Sequence, residues 1–166
     1  MDINKVKELF TNWPTKWLKL SGLIFEILEE RHVRIVLPLG DELHTNHMSS
    51  AYAGSLFVIG EVAAGIMFFA THGIGEYIPI VKKAEIDYLK PCTTDMIVDL
   101  TMSKEESEEK ICKIRKRGAG EYTYHITITN TQGEAVAKMT NTLYILPDRD
   151  QSMMKISGGD RLEHSL

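Results

Sequence analysis

Apolar and polar residues alternate in several stretches of this chain, and one stretch breaks the alternation. From Gly22 to Leu39, GLIFEILEERHVRIVLPL, apolar and β-branched residues recur at every second position around a polar turn at Glu30 and Arg31, which predicts a hairpin. From Ser50 to Thr71 nearly every residue is apolar or small, and the single charge is Glu61. That length and composition predict one long helix buried nearly all round by its own protein. Alternation returns in YIPIVKKAEIDYLKP, in DMIVDLTMS, and in GEYTYHITITNTQGEAVAKMTNTLYIL, where two long strands flank a turn at Thr131 to Gly133. Between them SKEESEEKICKIRKRG carries a Ser103 N-cap, early acidic and late basic residues, and a Gly118 C-cap, the marks of a surface helix. The N-terminus is charged at helical intervals and predicts a short amphipathic helix over about residues 2–20, with a polar tail from about 147 to 166.

Composition narrows the class. The 166 residues, 43% hydrophobic and 25% charged, suit one domain spanning 1–166 with its core over about 22–146. A net charge of -4 argues against a broad surface for polyanions, so nucleic acid is not an expected partner. Cys92 and Cys112 form no CxxC pair and point to a reducing cytoplasm without a disulfide framework. The N-terminal stretch lacks the apolar core and cleavage site of a secretory signal. Ser50 to Thr71 is long enough to cross a bilayer, but Glu61 at its centre and Gly54, Gly60 and Gly65 along it oppose a membrane span.

The predicted order is helix, two strands, one long helix, then four strands with a helical insertion. A single antiparallel sheet of about six strands wrapped around the apolar helix satisfies it, and here the chain resembles the α+β hotdog fold over roughly Gly22 to Leu146. The resemblance extends to a motif of phenylacetate-degradation-type thioesterases: an asparagine, a small pair opening the central helix, and an acid two turns later. Here Asn46, Ala53 with Gly54, and Glu61 match it, and DYLKP looks like the end of the family's third strand. The charged insertion from Ser103 to Gly118 is similar to that of a less characterised hotdog branch. The family often has His and Gly where this chain has Tyr52 and Ala53, and a serine or threonine where it has Val81.

The resemblance implies hydrolysis of an acyl thioester of coenzyme A or a carrier protein. No metal or separate cofactor is expected, coenzyme A being part of the substrate. Catalysis falls to Glu61, Asn46 and Ala53, and substrate binding to Gly54, Tyr52, Lys82, Lys83 and Lys90. Physical chemistry fits those roles. Free backbone NH groups and the dipole at a helix start polarise a carbonyl, and small residues let the acyl group approach. Asn46 adds a side-chain donor or fixes the loop. Glu61, desolvated among Val58, Ile59, Val62 and Ala63, serves as general base or as a nucleophile that forms an anhydride. Eight helical residues rise about 12 Å, so Glu61 and the Ala53 NH of one helix cannot share a carbonyl. Two antiparallel helices in a two-fold dimer can, and the resemblance implies such a homodimer, or a tetramer.

Other residues support less. A buried glutamate is otherwise a structural group tied to loop amides. His44 and His47 form an HxxH pair without a third ligand, and Ser55 lies outside a GxSxG elbow. Met67, Phe68 and Phe69 serve as core or as acyl lining, and Arg115, Lys116 and Arg117 as solvated surface or phosphate contacts. The alternatives to a thioesterase are a non-catalytic acyl or lipid binder and, third, a hotdog dehydratase or hydratase, which needs a catalytic histidine.

Overall fold

The computed structural model describes residues 2–12, 16–40 and 42–149. The N-terminal helix expected over 2–20 is two helices, α1 (Ile3–Thr11) and α2 (Lys16–Leu20), with residues 13–15 outside the described set. Pro14 carries the signal for a break, because proline lacks the backbone donor a helix interior needs. Asp2 caps α1 by accepting from the Asn4 NH at 3.1 Å. Most of the expected tail, from residue 150 onward, lies outside the described residues.

The remaining elements follow the alternation of the sequence: β1 (Ile24–Glu29), β2 (His32–Leu37), α3 (Ala53–His72), β3 (Tyr77–Tyr88), β4 (Met96–Thr101), α4 (Lys104–Arg117), β5 (Gly120–Thr129) and β6 (Ala135–Pro147). Glu30 and Arg31 form the first turn, Arg31 taking a left-handed φ of 60°. At α4 the Ser103 hydroxyl accepts from the Glu106 NH at 3.0 Å and Gly118 closes the helix at φ 81°.

All six strands join one sheet in the order β1-β2-β4-β5-β6-β3, and every neighbouring pair is antiparallel. The sheet curves around α3, which gives the hotdog architecture that the resemblance implies. Inward-facing Tyr122, Tyr124, Ile126 and Ile128 of β5 and Ala137, Met139, Asn141 and Leu143 of β6 are all buried. From the helix Leu56, Ile59, Ala63, Ala64, Ile66, Met67, Phe68 and Phe69 fill the concave side. The helix comes closest to the sheet at Gly60, where an added Cβ would stand 2.8 Å from the Met139 sulfur. α3 meets the length and hydropathy of a membrane span, yet most of it is packed against the protein's own sheet.

That packing corrects one expectation. α3 is not buried all round within the chain: Gly54, Phe57, Val58, Glu61, Val62 and Gly65 form a half-covered stripe at helical spacing. Glu61 stands in the middle of it. The strand at the adjacent sheet edge, β3, exposes Ile80, Val81 and Tyr88.

Candidate functional site

The loop from His44 to Tyr52 sets the start of α3. Asn46 sits at its centre, and its side chain is committed to the loop itself: Oδ1 accepts from the Met48 NH at 2.8 Å, the Ser50 NH at 3.3 Å and the Ser50 hydroxyl at 3.2 Å, while Nδ2 donates to the Ala51 carbonyl at 3.3 Å. Of the two roles expected for Asn46, this geometry supplies loop ordering. The Ala51 NH donates to the Cys92 carbonyl at 2.7 Å and the Tyr52 NH to the His44 carbonyl at 2.7 Å, which ties the loop to the β3–β4 connection and closes it on itself just before the helix begins.

Tyr52 is the N-cap residue, and its side chain makes no capping bond. The NH groups of Ser55 and Leu56 turn back to the Tyr52 carbonyl, whereas no acceptor among the described residues meets those of Ala53 and Gly54. Those two donors are the orphans that any helix start leaves, aligned with the positive end of the dipole. Two phenols frame them. The Tyr52 ring lies across Gly54, where an added Cβ would come within 2.4 Å of it, and the Tyr88 hydroxyl donates to the Ala53 carbonyl at 3.1 Å. Sequence reasoning saw Tyr88 only as a marker of a strand end; its reach to the helix start depends on how β3 lies beside α3.

Glu61 is half-buried, and burial pushes its carboxyl above the ordinary value of 4.5. Desolvation is the sole cause, and no described side chain or loop amide bonds to the carboxylate. The structural reading, a carboxylate tied down by loop NH groups, thus finds no such bond among the described residues. A desolvated acid without a partner is a group prepared to take or give a proton.

The lysines expected to meet phosphates are engaged elsewhere. Lys82 pairs with Glu121, Lys83 with Glu85 at 2.8 Å and Lys90 with Glu134 at 3.1 Å, all at exposed positions. Lys83 and Lys90 are seven residues apart, roughly 20 Å in extended chain, so one chain does not gather them around one phosphate.

The histidines next to α3 and its loop are held in the fold or exposed. His44 is buried, with Nε2 donating to the Ser21 carbonyl at 2.8 Å and Nδ1 accepting from the Ser55 hydroxyl at 2.9 Å, so both nitrogens hold the fold together. His47 is exposed, and no cluster of metal-binding side chains occurs among the described residues. Burial, helped by Arg115, lowers His72 to about 4, and its Nε2 meets the Tyr122 hydroxyl at 3.1 Å. Phe68 packs edge-on against Tyr77 and Tyr122 in the same buried cluster, which makes this end of α3 core. Among the described residues, two clefts that open away from Glu61 can be defined. One of about 330 Å³ lies between the N-terminal helices and β1, and one of about 630 Å³ crosses the outer face of β3, β5 and β6.

Helix, sheet and bare helix start together place the molecule in the hotdog superfamily that includes the thioesterases. Within that class the chain belongs to the DUF4442 family, a domain of unknown function whose model matches residues 21–145. A Pseudomonas aeruginosa protein of unknown function described as a "Probable Thioesterase" is 27% identical, with 89% of this chain and 97% of that one covered at a TM-score of 0.78. A variant of a thioesterase enzyme from Staphylococcus aureus shares 15% identity over 80% of this chain and all of its own, at a TM-score of 0.62. The phenylacetic acid degradation protein PaaI of Thermus thermophilus, also as a variant, shares 15% identity over 78% of this chain and 97% of its own, at a TM-score of 0.55. No curated protein matches the chain significantly.

Proposed function

We propose that this protein hydrolyses an acyl thioester of coenzyme A or of a carrier protein, with Glu61 as the acid-base group and the Ala53 and Gly54 amides of a second copy as the oxyanion site. One observation carries the reading: an unpaired, desolvated carboxylate stands midway along the open stripe of α3, about 12 Å of helix away from two free NH groups. In an antiparallel pair of such helices the carboxylate of one chain faces the start of the other, and two equivalent sites form.

The chemistry requires few groups. The thioester carbonyl accepts from the helix-start NH groups, which stabilise the oxyanion as the tetrahedral intermediate forms. Glu61 either takes a proton from water, which then attacks, or attacks directly and forms an anhydride that water opens. The products are a carboxylic acid and a thiol. The Tyr52 ring fills the space over Gly54 and the Tyr88 phenol reaches the Ala53 carbonyl, so the acyl group would enter beside Ala53 or displace the exposed Tyr52 ring. A homodimer or tetramer in a reducing cytoplasm suits this chemistry and the two free cysteines.

The similarity to a "Probable Thioesterase" at 27% identity supports the same reaction class. A second reading, an acyl-binding protein without turnover, is favoured by Val81, an exposed side chain with no hydroxyl to orient water, and by the Tyr52 ring across the helix start. A hydrolysis and binding screen over short, medium, long and aromatic acyl-CoAs separates the two. Turnover that falls by about two to four orders of magnitude in Glu61→Gln, with binding retained, supports the hydrolase. Binding without turnover supports the second reading, and full turnover in Glu61→Gln removes Glu61 from the mechanism.

A further inference from the structure

Asn141 lies on the inner face of β6, fully buried, opposite Tyr124 of β5 and Ala84 of β3. Its Nδ2 donates to the backbone carbonyl of Glu61 at 3.4 Å, and no described donor reaches its Oδ1. The neighbouring contact between helix and sheet is apolar, Gly60 against the Met139 thioether and Ile128. A buried acceptor left without a donor is destabilising, and leucine, of similar size, would fill the same space without that penalty. On this inner face the bond to the helix is the feature that distinguishes asparagine from an apolar residue of its size.

The bond lands on the residue that carries the unpaired carboxylate. Apolar packing sets the distance between a helix and a sheet without a directional preference of its own, so a hydrogen bond adds a constraint on the rotation of the helix that packing does not specify. A carboxylate about 6 Å from the helix axis moves roughly 2 Å when the helix turns by about 20°, and a displacement of about 1 Å is enough to cost on the order of 100-fold in rate. A directional bond from the sheet to the Glu61 carbonyl resists that turn.

We propose that Asn141 is a positioning residue, whose amide fixes the rotation of α3 on the sheet and thereby the direction of the Glu61 carboxylate, while its second polar atom stays unfilled in the core. The proposal rests on the reading of Glu61 as the acid-base residue.

The test compares Asn141→Leu and Asn141→Ser with Glu61→Gln and the unaltered protein. It combines thermal melting, steady-state kinetics on the best acyl-CoA from the screen, and NMR titration of the Glu61 carboxyl in 13C-glutamate-labelled protein. Asn141→Leu is expected to melt no lower than the unaltered protein, to keep KM, to lose about ten- to a hundredfold in kcat, and to shift the Glu61 titration toward the ordinary glutamate value. Asn141→Ser, which is too short to reach the carbonyl, repeats the kinetic and titration changes if leucine does not fold. Unchanged kcat and unchanged Glu61 titration in a folded variant overturn the proposal, as does activity that falls only in step with the folded fraction. If Glu61→Gln retains turnover, the acid-base reading fails instead; the titration then still decides, and an unmoved Glu61 midpoint overturns the positioning role.

Discussion

Replacing Gly60 and Gly65 by alanine, one at a time, measures how tightly the central helix is seated. Both glycines lie inside α3, so each substitution gains the same helix propensity, about 1 kcal/mol. They differ in what the new methyl meets. At Gly65 no atom lies within 4 Å. At Gly60 the Cβ would stand 2.8 Å from the Met139 sulfur, 3.2 Å from its Cε and 3.4 Å from Ile128 Cδ1, and both of those residues are buried. Relief requires the thioether to move by about 1 Å in a close-packed interior, an overpacking cost of about 1–3 kcal/mol. The propensity gain cancels in the comparison, so Gly60→Ala should be less stable than Gly65→Ala by that overpacking cost, reduced by whatever a methyl at Gly65 costs in the proposed seam between chains. For a chain of this length, each kcal/mol corresponds to about 2–4 °C in Tm. Urea and thermal unfolding followed by circular dichroism, with all three proteins at one concentration, give the difference directly. Equal stability of the two variants, with the oligomeric state by sedimentation the same in all three proteins, would refute the close helix-sheet approach at Gly60.

The remaining predictions concern the carboxylate, the helix start and assembly. Because the folded state raises the Glu61 pKa, the group contributes stability that is fully present below its ordinary value of 4.5 and is lost as pH rises through the raised value. Glu61→Gln should therefore gain on the unaltered protein in urea unfolding as pH rises from 4.5 toward 8, and parallel stability curves would contradict the desolvation. If the Ala53 amide polarises the carbonyl, Ala53→Gly should turn over at least as fast as alanine and Ala53→Val far more slowly, since β-branching crowds that amide. Equal rates for valine and alanine would place the oxyanion site elsewhere. Sedimentation should find at least a dimer at micromolar concentration, and an active monomer would rule out a site shared between chains.

Much of the fold was legible along the chain because its signals are local. The hairpin turn at Glu30 and Arg31, the Ser103 and Gly118 caps of α4, and the turn before β6 each depend on residues within a few positions of one another. The elevated pKa of Glu61 was legible too, since its helical neighbours supply the desolvation. The break in the N-terminal helix expected over residues 2–20 is not registered by charge periodicity, although Pro14 carries a local signal for it.

What the sequence by itself determined is the set of elements from β1 onward, their order and the lone acid in the apolar helix, all of which follow from periodicity and local chemistry. Only the tertiary structure decided which stripe of α3 stays open, because a helix apolar on every side carries no pattern that distinguishes one face from another. It also decided that Asn46 bonds within its own loop and that Lys82, Lys83 and Lys90 pair with acids. Asn141 was invisible beforehand for the same reason. It reads as one more residue of a strand, and the Glu61 carbonyl it holds is 80 positions away, brought within reach only when the sheet closes around the helix.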